Sequence, residues 1–193
     1  MSNDSINTGK PIILRSSQPQ DDSFLFRVYA STRADEMALV DWSAEQKNDF
    51  LQMQFNAQRQ HYLTFFPHAA YCLICLEDNR PIGRIIIDRS NEEILLLDIA
   101  LLPEYRNGGI GTRIIRDLMN EAQCKGQPIY LHAEIFNPAQ RLYERLGFSK
   151  IGMDGIYFKM EWRPEIGVPE ISTPSSQTMD KSNARTAQQI DVF

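Results

Sequence analysis

Between an apolar run that ends at Leu101-Leu102 and a helical pattern that starts at Ile110, the chain carries Arg106-Asn107-Gly108-Gly109-Ile110-Gly111. The first amides of a helix have no intrahelical partner and point outward, where the macrodipole favours an anion. Glycines let such a backbone close on phosphate oxygens with no Cβ in the way. The run lacks the Gly-Lys-Ser/Thr ending of a P-loop and the complete G-x-G-x-x-G of a dinucleotide fold. It carries Arg-x-x-Gly-x-Gly instead, entered through Pro103-Glu104-Tyr105 and followed by the helical repeat Ile110, Ile114, Ile115, Leu118, Met119 and Ala122.

The elements around this turn follow from local patterns. Ile12-Ile13-Leu14 reads as a first strand, and Asp21-Asp22 offer cap groups to a helix with Leu25, Val28, Tyr29 and Thr32 on one face. Ser43 and Gln46 have capping-box spacing ahead of a second helix, whose stripe is Leu51, Phe55, Gln58 and Tyr62 and which Pro67 closes. Three β-rich runs, Ala70 to Leu76, Ile82 to Ile87 and Glu93 to Leu101, have short polar links and imply an antiparallel meander. After the helix that reaches Gly126, Ile129 to His132 is a strand, so strand, helix and strand read as a right-handed parallel crossover. Asn137 as N-cap, Pro138 at the first helical position and Gly147 past Leu146 delimit another helix. Phe148 to Ile151 and Ile156 to Trp162 add two strands around Asp154-Gly155.

The 193 residues suit one α/β domain. It is expected over residues 12–163, after a flexible N-terminus at 1–11. From Pro164 to residue 193 the composition turns to Pro, Ser, Thr, Gln and Asn, which cannot offset ordering entropy by burial, so a disordered tail is expected. A net charge of -5 argues against nucleic acid, whose phosphates are held by clustered Lys and Arg. Met1-Ser2-Asn3-Asp4-Ser5 lacks the basic patch and apolar core of a secretory signal, and no run of about 18 apolar residues occurs. No membrane contact and a cytoplasmic location are the expectations. The sparse set Cys72, Cys75 and Cys124 suits a reducing compartment. Cys72 and Cys75 fall on opposite faces of a strand, with no further Cys pair or nearby His, and no metal site is expected.

A second motif lies downstream: Asn137-Pro138-Ala139-Gln140-Arg141-Leu142-Tyr143-Glu144-Arg145-Leu146-Gly147-Phe148. With Arg106 to Gly111 and this order of elements, the chain resembles the GNAT superfamily of acetyl-CoA-dependent N-acetyltransferases. The resemblance spans Ile12 to Trp162, its specific motifs Leu97 to Phe148. It implies an α/β fold with a mixed, mostly antiparallel sheet of about six to seven strands flanked by about four helices. The parallel fourth and fifth strands of that sheet splay apart at the cofactor.

The resemblance further implies acetyl-CoA as cofactor, with CoA as product. The backbone of Ile99, Ala100 and Leu101 would pair with the pantetheine arm. Amides of Arg106, Asn107, Gly108, Gly109, Ile110, Gly111 and Thr112 would hold the pyrophosphate, with Asn137 and Ala139 flanking the arm. Tyr143 matches the family's general acid, which protonates the departing thiolate. An attacking ammonium, with a pKa near 10.4, must first lose a proton. Asp98, which interrupts an apolar run, and Glu134, just past the fifth strand, are the two candidate bases, each equally readable as a structural acceptor. A lone strand histidine such as His132 is given no role. The implied reaction is direct acetyl transfer to a primary amine of a small molecule or peptide by a monomer or homodimer. A protein N-terminus as acceptor, or a CoA-binding module without turnover, are the alternatives.

Overall fold

The computed structural model describes residues 11–165, which form one seven-stranded sheet in the order β1-β2-β3-β4-β5-β7-β6. The strands are β1 Ile12–Ser16, β2 Ala70–Leu76, β3 Pro81–Arg89, β4 Ile94–Leu101, β5 Ile129–Glu134, β6 Ser149–Asp154 and β7 Tyr157–Trp162. The helices are α1 Asp22–Thr32, α2 Ala34–Ala38, α3 Ala44–Phe65, α4 Ile110–Lys125 and α5 Gln140–Arg145. Short polar links make β2 to β4 an antiparallel meander, β1 joins its edge antiparallel to β2 after a connection that carries α1, α2 and α3, and the crossover through α4 makes β4 and β5 parallel. β7 inserts between β5 and β6, antiparallel to both. The sheet is mixed and mostly antiparallel, as the order of elements implies. A fifth helix appears because α2 is five residues long and carries no apolar period that would reveal it. Residues 1–10 and 166–193, and with them most of the expected N-terminal and C-terminal segments, lie outside the described residues.

Alternation sorts the strands into two faces. On one, Ile74, Ile85, Ile87, Ile94, Leu96, Ile129, Leu131, Ala133 and Met160 pack against Ile110, Ile114, Ile115, Leu118 and Ala122 of α4 and Tyr143 of α5. On the other, α1 lies across β3 and β4, and its Tyr29 packs with Leu51 and Phe55 of α3 in a smaller core. Among the described residues no helix is long and apolar enough to cross a membrane.

Local chemistry sets the helix ends. Ser43 accepts from the Gln46 amide while the Gln46 side chain accepts from the Ser43 amide, the capping box read from the sequence. Gly126 closes α4 at φ 66°, and the amides of Gly126 and Gln127 both reach back to Ala122. Asp21 behaves differently from expectation: its carboxylate accepts two bonds from Arg15 at 2.9 and 3.0 Å and one from the Gln18 amide. It caps no amide of α1, because the Arg15 pair is the stronger, charge-assisted alternative.

Candidate active site

The feature that places the site is where β4 and β5 stop pairing. Their ladder comprises Ile94↔Ile129, Leu95↔Tyr130 and Leu96↔Leu131 and ends there. β4 then follows β3 as far as Leu101, and β5 follows β7 as far as Glu134. The two strands therefore diverge after Leu96. The backbone from Leu97 to Leu101, which includes Ile99 and Ala100, has no β5 partner on that side.

The glycine turn stands at the end of this opening. Pro103–Tyr105 form a 3-10 turn, and the chain then passes through Asn107 at φ 61° and Gly109 at φ 79° before α4 opens at Ile110. Asn tolerates that left-handed region and Gly occupies it freely. A Cβ on Gly109 would meet nothing within 4 Å, so glycine is required there for its conformation and the space in front of the turn is open. The helix's first backbone bond runs from the Arg113 amide to the Gly109 carbonyl, which leaves the amides of Ile110, Gly111 and Thr112 without helical acceptors. A Cβ on Gly111 would lie 3.8 Å from Leu142 Cδ2, which sets the start of α4 against α5.

The Arg106 side chain turns back into the protein. Its Nε donates to the Leu101 carbonyl at 2.8 Å, and Nη2 donates to the Ser31 carbonyl at 3.1 Å and Oγ at 2.9 Å. The last turn of α1, the end of β4 and the glycine turn are thereby fastened together. Ser31 was not singled out in the sequence, since a single serine near a helix end carries no distinguishing signal.

The second motif flanks the other side. Asn137 Oδ1 accepts from the Ala139 amide at 2.9 Å, and the Gln140 amide donates to the Asn137 carbonyl. Asn137 therefore closes the turn that leads into the helix and is not its N-cap, and Pro138 is not its first residue. Instead α5 starts at Gln140, with Ala139 as an N-cap that makes no side-chain bond, because the entry is wound into a tighter turn. Ala139 is half-buried beside the main core. Tyr143 is 6% exposed and packs edge-on against Phe148 at 5.8 Å between ring centres. Burial, and after it the charge of Asp98, pushes its hydroxyl well above the ordinary tyrosine value.

The two candidate carboxylates have cationic neighbours. Asp98 Oδ2 lies 2.6 Å from Arg84 Nε, with side-chain exposures of 18% and 7%. The alignment is that of a charge contact rather than a hydrogen bond, and neither atom has another partner. Arg84 also donates to Gln58 Oε1 at 3.0 Å and stacks near the Tyr29 ring. Glu134 accepts from Arg33 at 3.2 Å and from the Tyr157 hydroxyl at 3.5 Å, at the joint where α1 meets α2. His132 is half-buried, and its imidazole is held below the usual histidine value, first by burial and then by Lys159. Arg84 went unremarked in the sequence, yet a signal existed: it interrupts the apolar run of β3 as Asp98 interrupts that of β4.

A separate cleft of about 400 Å³ lies between the α1 start, α3 and strands β2 and β3, lined by Ser17, Asp22, Phe55, Arg59, Tyr71 and Arg84 among others. It touches neither the glycine turn nor the second motif. Among the described residues no cluster of His, Cys, Asp and Glu could hold a metal ion.

The strand pair thus parts ahead of a left-handed glycine turn, and Tyr143 is buried in the core that α4 and α5 share. The model of the acetyltransferase (GNAT) family matches residues 35–148, and the chain belongs to that family, an acyltransferase class whose donor is acetyl-CoA. The chain is similar to the [ribosomal protein bS18]-alanine N-acetyltransferase of Haemophilus influenzae, at 31% identity over 104 residues. That match covers 53% of this chain and 66% of the relative, just under two thirds of its length. Among solved structures it resembles the PaiA N-acetyltransferase of Thermoplasma acidophilum in complex with coenzyme A, with a TM-score of 0.60 and 20% identity over 79% of this chain and 99% of that one. It also resembles the ribosomal-protein-S18-alanine N-acetyltransferase of Escherichia coli, with a TM-score of 0.56 and 15% identity over 84% of this chain and all of that one. At those identities the structural likeness speaks to fold.

Proposed function

We propose that the protein transfers an acetyl group directly from acetyl-CoA to a primary amine, with no covalent enzyme intermediate. The observation that carries this reading is the divergence of β4 and β5 after Leu96 and Leu131, opening towards the amides that start α4. The free backbone of Ile99 to Leu101 suits an extended amide-bearing chain, which it would bind as an added strand does. The Leu101 carbonyl is already engaged by Arg106, so pairing falls to the remaining groups of that segment. Amides from Gly108 to Thr112 suit a pyrophosphate; the Arg106 amide, expected among them, instead donates to the Pro103 carbonyl at 3.1 Å, and the Arg106 side chain serves the turn itself. Asn137 and Ala139 border the arm from the side of α5.

Acetyl-CoA supplies the activated thioester. Tyr143, whose hydroxyl burial and then the charge of Asp98 hold above the ordinary tyrosine value, carries a proton at neutral pH as any tyrosine does and acts as the acid towards the leaving sulfur. Glu134 is the carboxylate assigned to the amine's proton; Arg33 and Tyr157 orient it. The cysteines favour direct transfer: Cys72 and Cys75 lie on β2, beyond β3 from the opening, and Cys124 sits near the far end of α4. Three unpaired thiols also support a cytoplasmic setting.

For the acceptor, the amino group of a protein N-terminus is favoured over a free polyamine or aminoglycoside. The support is the Haemophilus relative, whose name describes acetylation of an alanine of a ribosomal protein. Thiol release from acetyl-CoA, measured with peptides bearing free or blocked N-termini and with small amines, tests this. Release that requires the free peptide N-terminus is expected. Release driven equally by blocked peptides with lysine, or by polyamines alone, would refute the acceptor assignment.

A further inference from the structure

One residue of β4 is out of step with its neighbours. Along β3 and β4 the partners run Ile85↔Ile99, Ile86↔Asp98 and then Ile87↔Leu96, so Leu97 is an extra residue bulged out of the ladder. A shift of one residue moves every later side chain to the opposite face. Ile94 and Leu96 precede the bulge and face the α4 core; Ile99 and Leu101 follow it and pack against that same core. Were β4 regular, residues 98 and 100 would take their places. Asp98 would then project into the apolar core under α4, a costly place for a carboxylate.

The bulge delivers Asp98 to the opposite face, the one that α1 crosses, where the buried Arg84 meets it at 2.6 Å. The extra residue is itself held, because the Tyr62 hydroxyl of α3 donates to the Leu97 carbonyl at 3.2 Å. Tyr62 is 8% exposed, and burial raises its hydroxyl well above the usual value, with Asp98 the next cause, so it stays a donor. The bulge falls directly after the last β4–β5 pair at Leu96. The segment it re-aims, Asp98 to Leu101, is the one that borders the opening.

We propose that Asp98, Arg84 and Tyr62 are positioning residues for the donor site: they enforce the bulge at Leu97 and so fix which backbone groups β4 turns towards the β4–β5 opening. On this account Asp98 is not the base. The inference rests on the reading of that opening as the place of the acetyl-CoA arm.

Two comparisons test it, using calorimetric CoA binding and hydrogen exchange on the full chain. Tyr62→Phe removes one hydroxyl and no packing; amides from Leu97 to Leu101 should exchange roughly tenfold faster, and CoA should bind roughly three- to tenfold more weakly, the scale of one net hydrogen bond. Asp98→Asn and Asp98→Leu both leave Arg84 unpaired, but only Leu can enter the α4 core. Asp98→Leu should therefore melt no lower than Asp98→Asn and still bind CoA more weakly, a ranking that loss of stability cannot produce. With an acceptor in hand, Asp98→Asn should lower kcat/KM while preserving its fall at acid pH.

Native exchange and CoA affinity in Tyr62→Phe would overturn the proposal. So would equal CoA affinity of the two Asp98 variants, or loss of the acid limb in Asp98→Asn. If neither Asp98 variant folds, Tyr62→Phe decides alone. A native chain that binds no CoA would instead sink the donor-site reading, and the exchange rates would still report on the bulge.

Discussion

Arg106 Nε donates to the Leu101 carbonyl at 2.8 Å, closing the strand end onto the glycine turn that follows it. The other arm of the guanidinium holds Ser31, so one planar fork joins three segments. A lysine ammonium has the charge without the fork. Arg106→Lys should therefore bind CoA about as poorly as Arg106→Gln, both roughly tenfold weaker than native, with a loss of about 1–2 kcal/mol in urea unfolding. Recovery of native affinity by lysine would mean that the charge alone matters.

Gly109 separates conformation from charge. At φ 79° with open space where a Cβ would be, Gly109→Ala should cost about 1 kcal/mol of stability through backbone strain alone and reduce CoA affinity modestly. Gly109→Glu carries the same strain and adds a carboxylate facing the amides assigned to the pyrophosphate. Calorimetry should find CoA binding severely weakened in the glutamate variant and largely retained in the alanine variant. Similar affinities for the two would remove the anion from this turn.

Tyr143→Phe keeps the ring that packs on Phe148 and deletes the proton. With chemistry limiting, kcat should fall roughly a hundredfold, within the range of general acid catalysis, while CoA affinity stays near native. An unchanged kcat would take Tyr143 out of the reaction.

Acid should act on α4 through Glu121. Its carboxylate accepts from Arg89 at 2.9 and 3.0 Å and from Lys125 at 2.7 Å. The Arg89 bonds foremost, with Lys125 adding to them, hold it down at about 2 against an ordinary 4.5. A folded value below the unfolded one stabilises the protein fully above the ordinary value, and that contribution is lost as pH falls from there towards 2. Glu121→Gln should cost about 0.5–1 kcal/mol at pH 7, since the pair is partly exposed and screened. The gap from native, measured by urea unfolding, should narrow steadily below pH 4.5. A gap independent of pH would show that the ion pairs contribute nothing.

Local chemistry was readable before the fold was seen, and chemistry across the sheet was not. Ser43 with Gln46, Gly126 behind α4, and the glycine turn each act over a few residues, so spacing alone reveals them. Asn137 was readable as a turn former for the same reason, but the tightened turn moves the N-cap of α5 to Ala139 and its first residue to Gln140. Asp21 misled, because its partner Arg15 belongs to β1 and outcompetes the helix amides. Arg106 and Ser31 stand 75 positions apart, and no periodicity joins them. Asp98 was visible as an oddity in an apolar run, but its meaning depends on the extra residue at Leu97, and simple alternation would have sent it to the wrong face. Arg84 and Tyr62 acquire their importance only through that bulge.

The donor site is tested most directly by following backbone amide resonances of the full chain as CoA is added. The largest shifts should fall on two stretches remote in sequence, Ile99 to Leu101 and Gly108 to Thr112, with smaller changes near Asn137 and Ala139. Shifts confined to Ser17, Asp22, Arg59 and Tyr71 would instead put CoA in the cleft between α1 and α3, and the assignment of the β4–β5 opening would be wrong.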